Sequence, residues 1–246
     1  MTAAAHVAPL EALELSPADV HVWQLALDVD PSTLAALERT LSADERARAD
    51  RFHFRRDRDR FAAARGTLRT LVARYLGLGP AELRFAYGPQ GKPRLAGDDD
   101  AELRFNLAHS EGVALLAVTR GRAVGVDVER VRPERATRDV AERFFARAEV
   151  TALRAYPPDE WAAAFFACWS RKEAYVKARG EGLSFPLDAF EVSVRPGERA
   201  VALRLPGDPA EARRWSLREL RVGPDHAAAI AVEGDGWQLT QRITRT

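Results

Sequence analysis

The stretch Val-Gly-Val-Asp-Val-Glu at 124–129 alternates valines with a glycine and two carboxylates. This two-residue period predicts a β-strand, in which Asp127 and Glu129 share one face. Neighbouring carboxylates repel each other, and their burial is costly unless a cation neutralises them. Because oxygen ligands suit Mg²⁺, the pair is a candidate metal site. A solvent-facing sheet edge, on which both acids are harmless, is the alternative interpretation.

A second polar cluster lies in WSRKEAYVK (169–177), within a helix predicted from Glu160 to about Arg179. Trp169, Glu173 and Lys177 are spaced i, i+4 and i+8, so they form one stripe on this helix. Glu173 is a candidate third metal ligand or base, and Lys177 is a candidate phosphate contact. The alternative is an ordinary surface pair of glutamate and lysine, although Trp169 argues that the stripe is partly buried.

Two further segments contain residues that suit an anion. YGPQGKP (87–93) predicts a loop in which Gly91 lets the backbone approach a ligand and Lys92 is held beside a rigid proline. A plain hairpin loop explains the same residues. In NLAHS (106–110), His109 lies between small residues at a strand end, where it could bind phosphate, transfer a proton or serve the fold.

The stretch 46–60 contains seven arginines and three aspartates, which alone would be compatible with a nucleic-acid surface. We predict instead a solvated helix with one or two phosphate-binding arginines, on which Phe52, His53 and Phe54 pack. A longer helix is predicted to follow from Phe61.

The amino-acid composition excludes several classes of protein. The chain has 246 residues, 46% of them hydrophobic, and its 37 basic and 36 acidic residues nearly cancel, so no global field attracts nucleic acid or lipid. Only three of the basic residues are lysines, and all three lie in the segments above. A lone cysteine excludes an internal disulfide and is typical of a reducing cytoplasm. The N-terminus does not resemble a signal peptide, and no apolar run of about 20 residues predicts a membrane span.

The order of the predicted elements suggests two similar halves. In each half a long helix, near 61–76 and 161–179, leads to an apolar strand followed by glycine. This pattern predicts an α+β protein with one lobe at 1–121 and a second at 122–246. A single α+β domain would show a similar alternation.

These segments together resemble the 4′-phosphopantetheinyl transferases, specifically the surfactin-type class. The resemblance rests on GKPRL (91–95), FNLAHS (105–110), VGVDVE (124–129), FFARAE (144–149) and FACWSRKEAYVKARGEGLSFPLDAFEV (166–192). It implies two α+β lobes in a pseudo-twofold arrangement with the active site in the cleft between them. It also implies transfer of the phosphopantetheine arm of coenzyme A to a serine of an acyl or peptidyl carrier protein, with Mg²⁺ as cofactor.

The resemblance also assigns residues. Asp127, Glu129 and Glu173 match metal-binding acids, and Asp127, Glu173 and Lys177 match catalytic residues. The residues matched to coenzyme A binding are Arg48, Gly91, Lys92, Pro93, Asn106, Ala108, His109 and Lys177. Ala108 departs from the family, which commonly has serine before this histidine. Glu149 matches a supporting acid, whereas Lys172 receives no role.

Two other functions, and a second class of the same enzyme, are alternatives. A nucleic-acid-binding protein built on 46–60 would leave the acidic motifs unexplained. A non-catalytic carrier-binding protein with a decayed site would lack an acidic ligand or Lys177. A compact trimeric synthase would be about half as long, so we expect a monomer.

Overall fold

The computed structural model describes residues 12–88, 91–97, 102–180, 185–198 and 201–244, which form two compact units. The first unit contains Asp28–Arg84 and the residues up to Leu15, and the second contains Ser16–Leu27 and Phe85–Thr246. Three predicted features lie outside the described residues in whole or in part: the N-terminal residues 1–11, two positions of the glycine–lysine loop (89–90), and residues 181–184 of the motif at 166–192.

The first unit is helical. Its helices are α1 (Pro31–Thr40), α2 (Ala43–Ala49) and α3 (Arg55–Leu76). Glu45 closes a capping box with Ser42 at the start of α2, and its buried carboxylate also binds the guanidinium groups of Arg65 and Arg69 on α3 at 2.8 and 2.5 Å. This buried ion cluster ties α2 to α3. Gly77, in the left-handed conformation, ends α3.

The prediction of a single helix over most of 46–60 is wrong, because α2 ends at Ala49 and α3 begins at Arg55. The packing predicted for the aromatic residues of this stretch is confirmed for Phe52 alone, whose ring lies 5.4 Å from that of Phe61 on α3. Phe52 and Phe54 are 40% and 64% exposed, and His53 is exposed between them. The physical reason is that the helix is interrupted here. The backbone at Phe54 is extended, so these residues do not continue the face of a helix.

The second unit contains the strands and the remaining helices. The strands are β1 (Asp19–Ala26), β2 (Phe85–Tyr87), β3 (Pro93–Leu95), β4 (Leu103–Ser110), β5 (Val113–Arg120), β6 (Val124–Arg130), β7 (Glu191–Val192), β8 (Leu203–Arg204), β9 (Trp215–Glu219), β10 (His226–Glu233) and β11 (Gln238–Ile243). The helices are α4 (Arg138–Phe144), α5 (Arg147–Leu153), α6 (Pro158–Arg179) and α7 (Pro209–Arg213). None of the helices described is both long and apolar enough to cross a bilayer.

Two sheets organise this unit. One has the order β11–β1–β5–β4, in which β11 runs parallel to β1 and the other pairs are antiparallel; the second has the antiparallel order β6–β10–β9. The strands β2 and β3 form a hairpin, as do β7 and β8. The chain is therefore a mixed α and β protein. The predicted lobes at 1–121 and 122–246 and their pseudo-twofold relation stay predictions.

The core lies on both faces of the three-stranded sheet. On one face, Val126 and Ile230 pack in a cluster with Val22 and Leu115 of the other sheet. On the opposite face, α6 packs against β6 and β10. Since side chains alternate along a strand, the valines of β6 fill the first face and the polar residues between them meet α6.

The helix predicted near 137–155 is in fact two short helices, α4 and α5. The chain is extended at Phe145, whose ring is buried in the core beside Phe165 and Trp169. Glu149 then closes the first turn of α5 by accepting the Ala146 N–H at 2.8 Å. Burial of the Phe145 ring offsets the loss of backbone hydrogen bonds at this break.

Candidate active site

The strand β6 and the helix α6 approach each other closely at Gly125. An added Cβ there would lie 2.2 Å from the Ala174 carbonyl oxygen and the Ala178 nitrogen, so only glycine fits. Asp127 follows two residues later and therefore faces α6 as well. The motif thus places its carboxylates on the helix-facing side of the sheet.

Asp127 and Lys177 form the centre of the site. Lys177 Nζ donates to Asp127 Oδ1 at 2.5 Å, and Asp127 is 3% exposed. The other carboxylate oxygen, Oδ2, is buried and has no hydrogen-bond partner in the described residues. Burial raises the pKa of Asp127, although the charge of Lys177 opposes this effect. One buried carboxylate oxygen is therefore available to a further cation.

Glu129 and Glu173 lie within the electric field of this pair. Burial, followed by repulsion from Asp127, raises the pKa of Glu129 to about 7. Burial also raises the pKa of Glu173, partly offset by Lys177. Burial alone would lower the pKa of Lys177, but attraction to the surrounding carboxylates, Asp127 foremost, raises it. When all four groups are ionised, they carry a net charge of about −2, which favours binding of a cation.

In this arrangement the carboxylates are not closed around a metal. No three histidine, cysteine, aspartate or glutamate side chains among the described residues are placed as a ready-made metal site. The ammonium of Lys177 instead occupies the position beside Asp127. The donor chemistry nevertheless fits a hard divalent cation, because the site offers several carboxylate oxygens, one of them buried and unpartnered.

Lys92 joins the hairpin to this site. It precedes β3, and its Nζ donates to the carbonyl oxygens of Val124 at 3.0 Å and of Lys177 at 2.6 Å. Burial, with smaller effects from Arg104 and Lys177, lowers the pKa of Lys92 to about 8. Gly91 adopts φ 75°, which favours glycine at this bend, and Pro93 opens β3. Lys92 therefore links the beginning of β6 with the end of α6.

A cavity of about 420 Å³ opens beside Lys92. Three arginines also line it: Arg94, Arg104 and Arg179. Among the described residues of its lining, four cations face a single acid, Glu233, which makes this cavity suitable for an anion.

The predicted residues of β4 occupy different environments. Asn106 is buried, and its Oδ1 accepts the Val126 N–H at 2.8 Å, which joins β4 to β6. Ala108 is buried in the core cluster, whereas His109 is exposed and near enough to Asp127 to affect its pKa. Ser110, which received no role in the sequence prediction, donates to Glu129 at 3.1 Å. Its position next to His109 was the available signal.

Arg48 belongs to the first unit, on α2. Its guanidinium lies 5.4 Å from the centre of the Phe61 ring, and Arg48, Arg51 and Phe52 line a shallow hollow of about 450 Å³. Its side chain is exposed, which is compatible with the predicted phosphate contact.

Lys172 and Glu149 form a separate, buried pair. Lys172 Nζ lies 2.8 Å from Glu149 Oε2 and donates to the carbonyl oxygens of Leu187 at 2.7 Å and Phe190 at 2.6 Å. Glu149 Oε1 accepts the Val192 N–H at 2.7 Å. All three donors of the ammonium are thereby satisfied. This network joins α5, α6 and the chain near β7, which gives Lys172 a structural role.

Comparison with known proteins identifies the family. Residues 123–231 match the model of the 4′-phosphopantetheinyl transferase superfamily, and residues 28–120 match that of the 4′-phosphopantetheinyl transferase N-terminal region. The 4′-phosphopantetheinyl transferase HetI of Nostoc sp. is 43% identical over 228 residues, which cover 92% of each chain. The chain belongs to the 4′-phosphopantetheinyl transferases.

Two more distant relatives agree with this assignment. The 4′-phosphopantetheinyl transferase Sfp of Bacillus subtilis is 31% identical over 77% of this chain and 81% of its own. The human L-aminoadipate-semialdehyde dehydrogenase-phosphopantetheinyl transferase is 30% identical over 79% of this chain and 67% of its own. The chain is thus a transferase of the surfactin type, and the family function is transfer of phosphopantetheine from coenzyme A to a carrier protein.

Proposed function

We propose that this phosphopantetheinyl transferase performs its reaction at the cluster of Asp127, Glu129, Glu173 and Lys177, with Mg²⁺, and releases adenosine 3′,5′-bisphosphate. The observation that carries the proposal is the 2.5 Å pair of Lys177 and Asp127 buried among further carboxylates. Such a cluster is costly to the fold, since burial and like charges disfavour ionised acids. A role in binding a charged substrate accounts for this cost.

Asp127, Glu129 and Glu173 would hold the Mg²⁺ ion. The unpartnered Oδ2 of Asp127 and the raised pKa of Glu129 both support a site that gains stability from an added cation. Bound there, Mg²⁺ would neutralise negative charge on the diphosphate of coenzyme A.

The reaction is a phosphoryl transfer. The carrier serine oxygen forms a bond to the pantetheine-side phosphorus, and the diphosphate bond from that phosphorus to its bridging oxygen breaks. Adenosine 3′,5′-bisphosphate leaves with the bonding electrons. Glu173 takes the serine proton, directly or through water, and its raised pKa favours this role. Lys177 would stabilise the charge on the phosphate oxygens.

Coenzyme A would be held mainly through its phosphates. We assign its diphosphate to Lys92 and His109 and its 3′-phosphate to Arg48, which as an arginine can bind phosphate bidentately. Gly91, Pro93, Asn106 and Ala108 would contribute backbone and shape rather than charge. The basic cavity beside Lys92 supports this assignment.

The proposed substrates are acyl or peptidyl carrier proteins of peptide, polyketide or fatty acid synthases, including those of secondary metabolism. We propose that the enzyme acts as a monomer in the cytoplasm. The single cysteine, Cys168, is free and buried, which is compatible with a reducing compartment. Light scattering of the purified protein would reveal a trimer if the monomer proposal is wrong.

Replacing Glu173 by glutamine tests the site. Glu173→Gln should reduce transfer to a purified apo carrier by at least about a hundredfold while coenzyme A binding stays measurable. The matched control is Glu160→Gln on the same helix, where the side chain is exposed and should leave turnover unchanged. Turnover of Glu173→Gln close to that of the wild type would refute the assignment.

A further inference from the structure

Ser110, the last residue of β4, contacts the end of β6 that carries Glu129. Its Oγ accepts the Arg130 N–H at 3.0 Å and donates to Glu129 Oε2 at 3.1 Å. A serine hydroxyl has a single proton and two lone pairs. Because the backbone N–H of Arg130 meets a lone pair of this oxygen, the hydroxyl proton is free to point at Glu129. The orientation of the hydroxyl is therefore defined by its two partners.

A similar contact lies four residues earlier on both strands. Asn106 Oδ1 accepts the Val126 N–H, as Ser110 Oγ accepts the Arg130 N–H. Both pairs are separated by 20 positions, so the two strands run side by side in a fixed parallel register. The opposite edge of β6 pairs with β10. Side chains of β4 thus hold β6 at two points, and the one from Ser110 lies next to a candidate metal ligand.

The carboxylate of Glu129 lies among charges that repel it. Asp127 and Glu173 oppose its negative charge, whereas Lys177 attracts it. Among the described residues, the side chain that hydrogen-bonds to this carboxylate is that of Ser110. Repulsion at short range would turn a flexible glutamate away from the other acids. The bond from Ser110 offsets this repulsion and holds Oε2 in place.

The turn that follows Ser110 is fastened to the same part of β6. Glu111 adopts φ 52°, in the left-handed region that few residues other than glycine adopt. Its carboxylate binds the guanidinium of Arg130 at 2.5 Å and also that of Arg132. A strained backbone of this kind persists where surrounding contacts determine it. These contacts keep Ser110 beside Glu129.

We propose that Ser110 is a positioning residue of the metal site, which holds Glu129 in the orientation that binds the divalent cation. The hydroxyl would act on the cation through Glu129 and not as a ligand. Loss of such a partner of a ligand typically weakens metal binding by about 10–100-fold. The proposal rests on the metal-binding role proposed above for Glu129, and it adds the residue that orients this ligand.

The test compares Ser110→Val with Ser110→Thr, two side chains of nearly the same shape that differ in the hydroxyl. The probe is Mn²⁺, whose binding to the enzyme with coenzyme A is followed by electron paramagnetic resonance, without a carrier. For Ser110→Val we expect the dissociation constant for Mn²⁺ to rise about tenfold or more, and for Ser110→Thr to stay within about threefold of the wild type.

Ser216→Ala is the matched control. Ser216 is half-buried like Ser110, and its hydroxyl donates to the Gly234 carbonyl oxygen at 2.6 Å. The variant loses a comparable side-chain bond on β9, outside the metal site, and should bind Mn²⁺ as the wild type does.

The Mg²⁺ dependence of transfer to an apo carrier gives a second readout. For Ser110→Val, the Mg²⁺ concentration at half-maximal rate should rise about tenfold, and saturating Mg²⁺ should restore kcat to within about threefold of the wild type. A merely structural role would lower kcat at every Mg²⁺ concentration. Unchanged Mn²⁺ affinity in Ser110→Val, or an equal loss in Ser110→Thr, would overturn the proposal. So would failure of both Ser110→Val and the smaller Ser110→Ala to fold, because the hydroxyl would then serve the fold.

Glu129→Gln separates this proposal from the metal site on which it rests. If Glu129→Gln leaves the Mn²⁺ affinity unchanged, the proposed metal site is wrong and the role of Ser110 with it. If Glu129→Gln weakens Mn²⁺ binding and Ser110→Val does not, the role of Ser110 alone is wrong. In the Glu129→Gln background, Ser110→Val should cost less than about a further twofold, since it acts through Glu129. A full, additive loss there would contradict the proposal.

Discussion

Replacing Gly125 by alanine would place a methyl group between β6 and α6. The new Cβ would lie 2.2 Å from the Ala174 carbonyl oxygen and the Ala178 nitrogen and 2.8 Å from the Ala178 Cα. Non-bonded atoms of this kind need roughly 3.2–3.5 Å, so the strand and the helix must separate by about 1 Å. We expect a loss of about 1–3 kcal/mol in the free energy of unfolding, the usual cost of overpacking.

The same separation would affect the site. Asp127 lies two residues beyond Gly125, and its 2.5 Å bond to Lys177 spans the gap that would open. An added ångström takes this pair beyond hydrogen-bond length. Since displacements of about 1 Å can cost on the order of a hundredfold in rate, we expect kcat to fall by roughly that factor.

Urea unfolding and steady-state transfer to an apo carrier would measure both effects. Gly207→Ala is the matched control, because nothing lies within 4 Å of its Cβ position and its φ is not in the left-handed region. We expect Gly207→Ala to leave stability and kcat unchanged. If Gly125→Ala behaved like this control, the close approach of β6 and α6 would not determine the site geometry.

Three further predictions follow from the buried charges. Lys172→Met should lower the free energy of unfolding, measured by urea titration, by about 3–5 kcal/mol, because it leaves the Glu149 charge buried without its partner. Adding Glu149→Gln should recover part of the loss. Wild-type stability of the single variant would refute the prediction. The pH profile of kcat/KM should fall below pH about 7, where Glu129 is protonated and loses its attraction for a cation, and above pH about 8, where Lys92 loses its charge. Raising the Mg²⁺ concentration should move the acid limb to lower pH, and a flat profile would contradict both assignments. Lys177→Arg should reduce kcat by about tenfold or more, since a planar guanidinium does not replace a compact ammonium 2.5 Å from Asp127; full activity would contradict this reason.

The sequence allowed the central strand and helix to be predicted. The two-residue period of β6 predicts that Asp127 and Glu129 lie on one face of the strand. The four-residue spacing in α6 predicts that Glu173 and Lys177 lie on one side of the helix. Both follow from local geometry that a single element determines. The end of α6 is also predictable from the sequence, because Gly180 adopts the left-handed conformation that ends many helices.

Contacts between distant segments were not predictable from local pattern. Lys92 donates to a carbonyl oxygen 85 positions later in the chain, and Lys172 meets Glu149 only because α5 packs against α6. The helix break before Phe54 was also missed, since arginine and alanine on both sides favour a helix and the sequence has no glycine or proline to mark the break.

The scarcity of lysine has a physical explanation in the structure. Each of the three lysines places its ammonium against carbonyl or carboxylate oxygens in a buried or half-buried site: Lys92, Lys172 and Lys177. A compact group with three donors suits acceptors that converge from several directions, whereas arginine presents a planar fork. The sequence identified these positions by composition, but only the structure separates Lys172, which supports the fold, from the other two.

The most direct test of the account is the mass of an apo carrier protein incubated with this enzyme, coenzyme A and Mg²⁺. The account predicts a gain equal to one phosphopantetheine group on the carrier serine, with adenosine 3′,5′-bisphosphate released in equal amount. The gain should disappear when that serine is replaced by alanine and when the enzyme carries Glu173→Gln. An unchanged mass for acyl and peptidyl carriers alike, or an undiminished gain with Glu173→Gln, would contradict it.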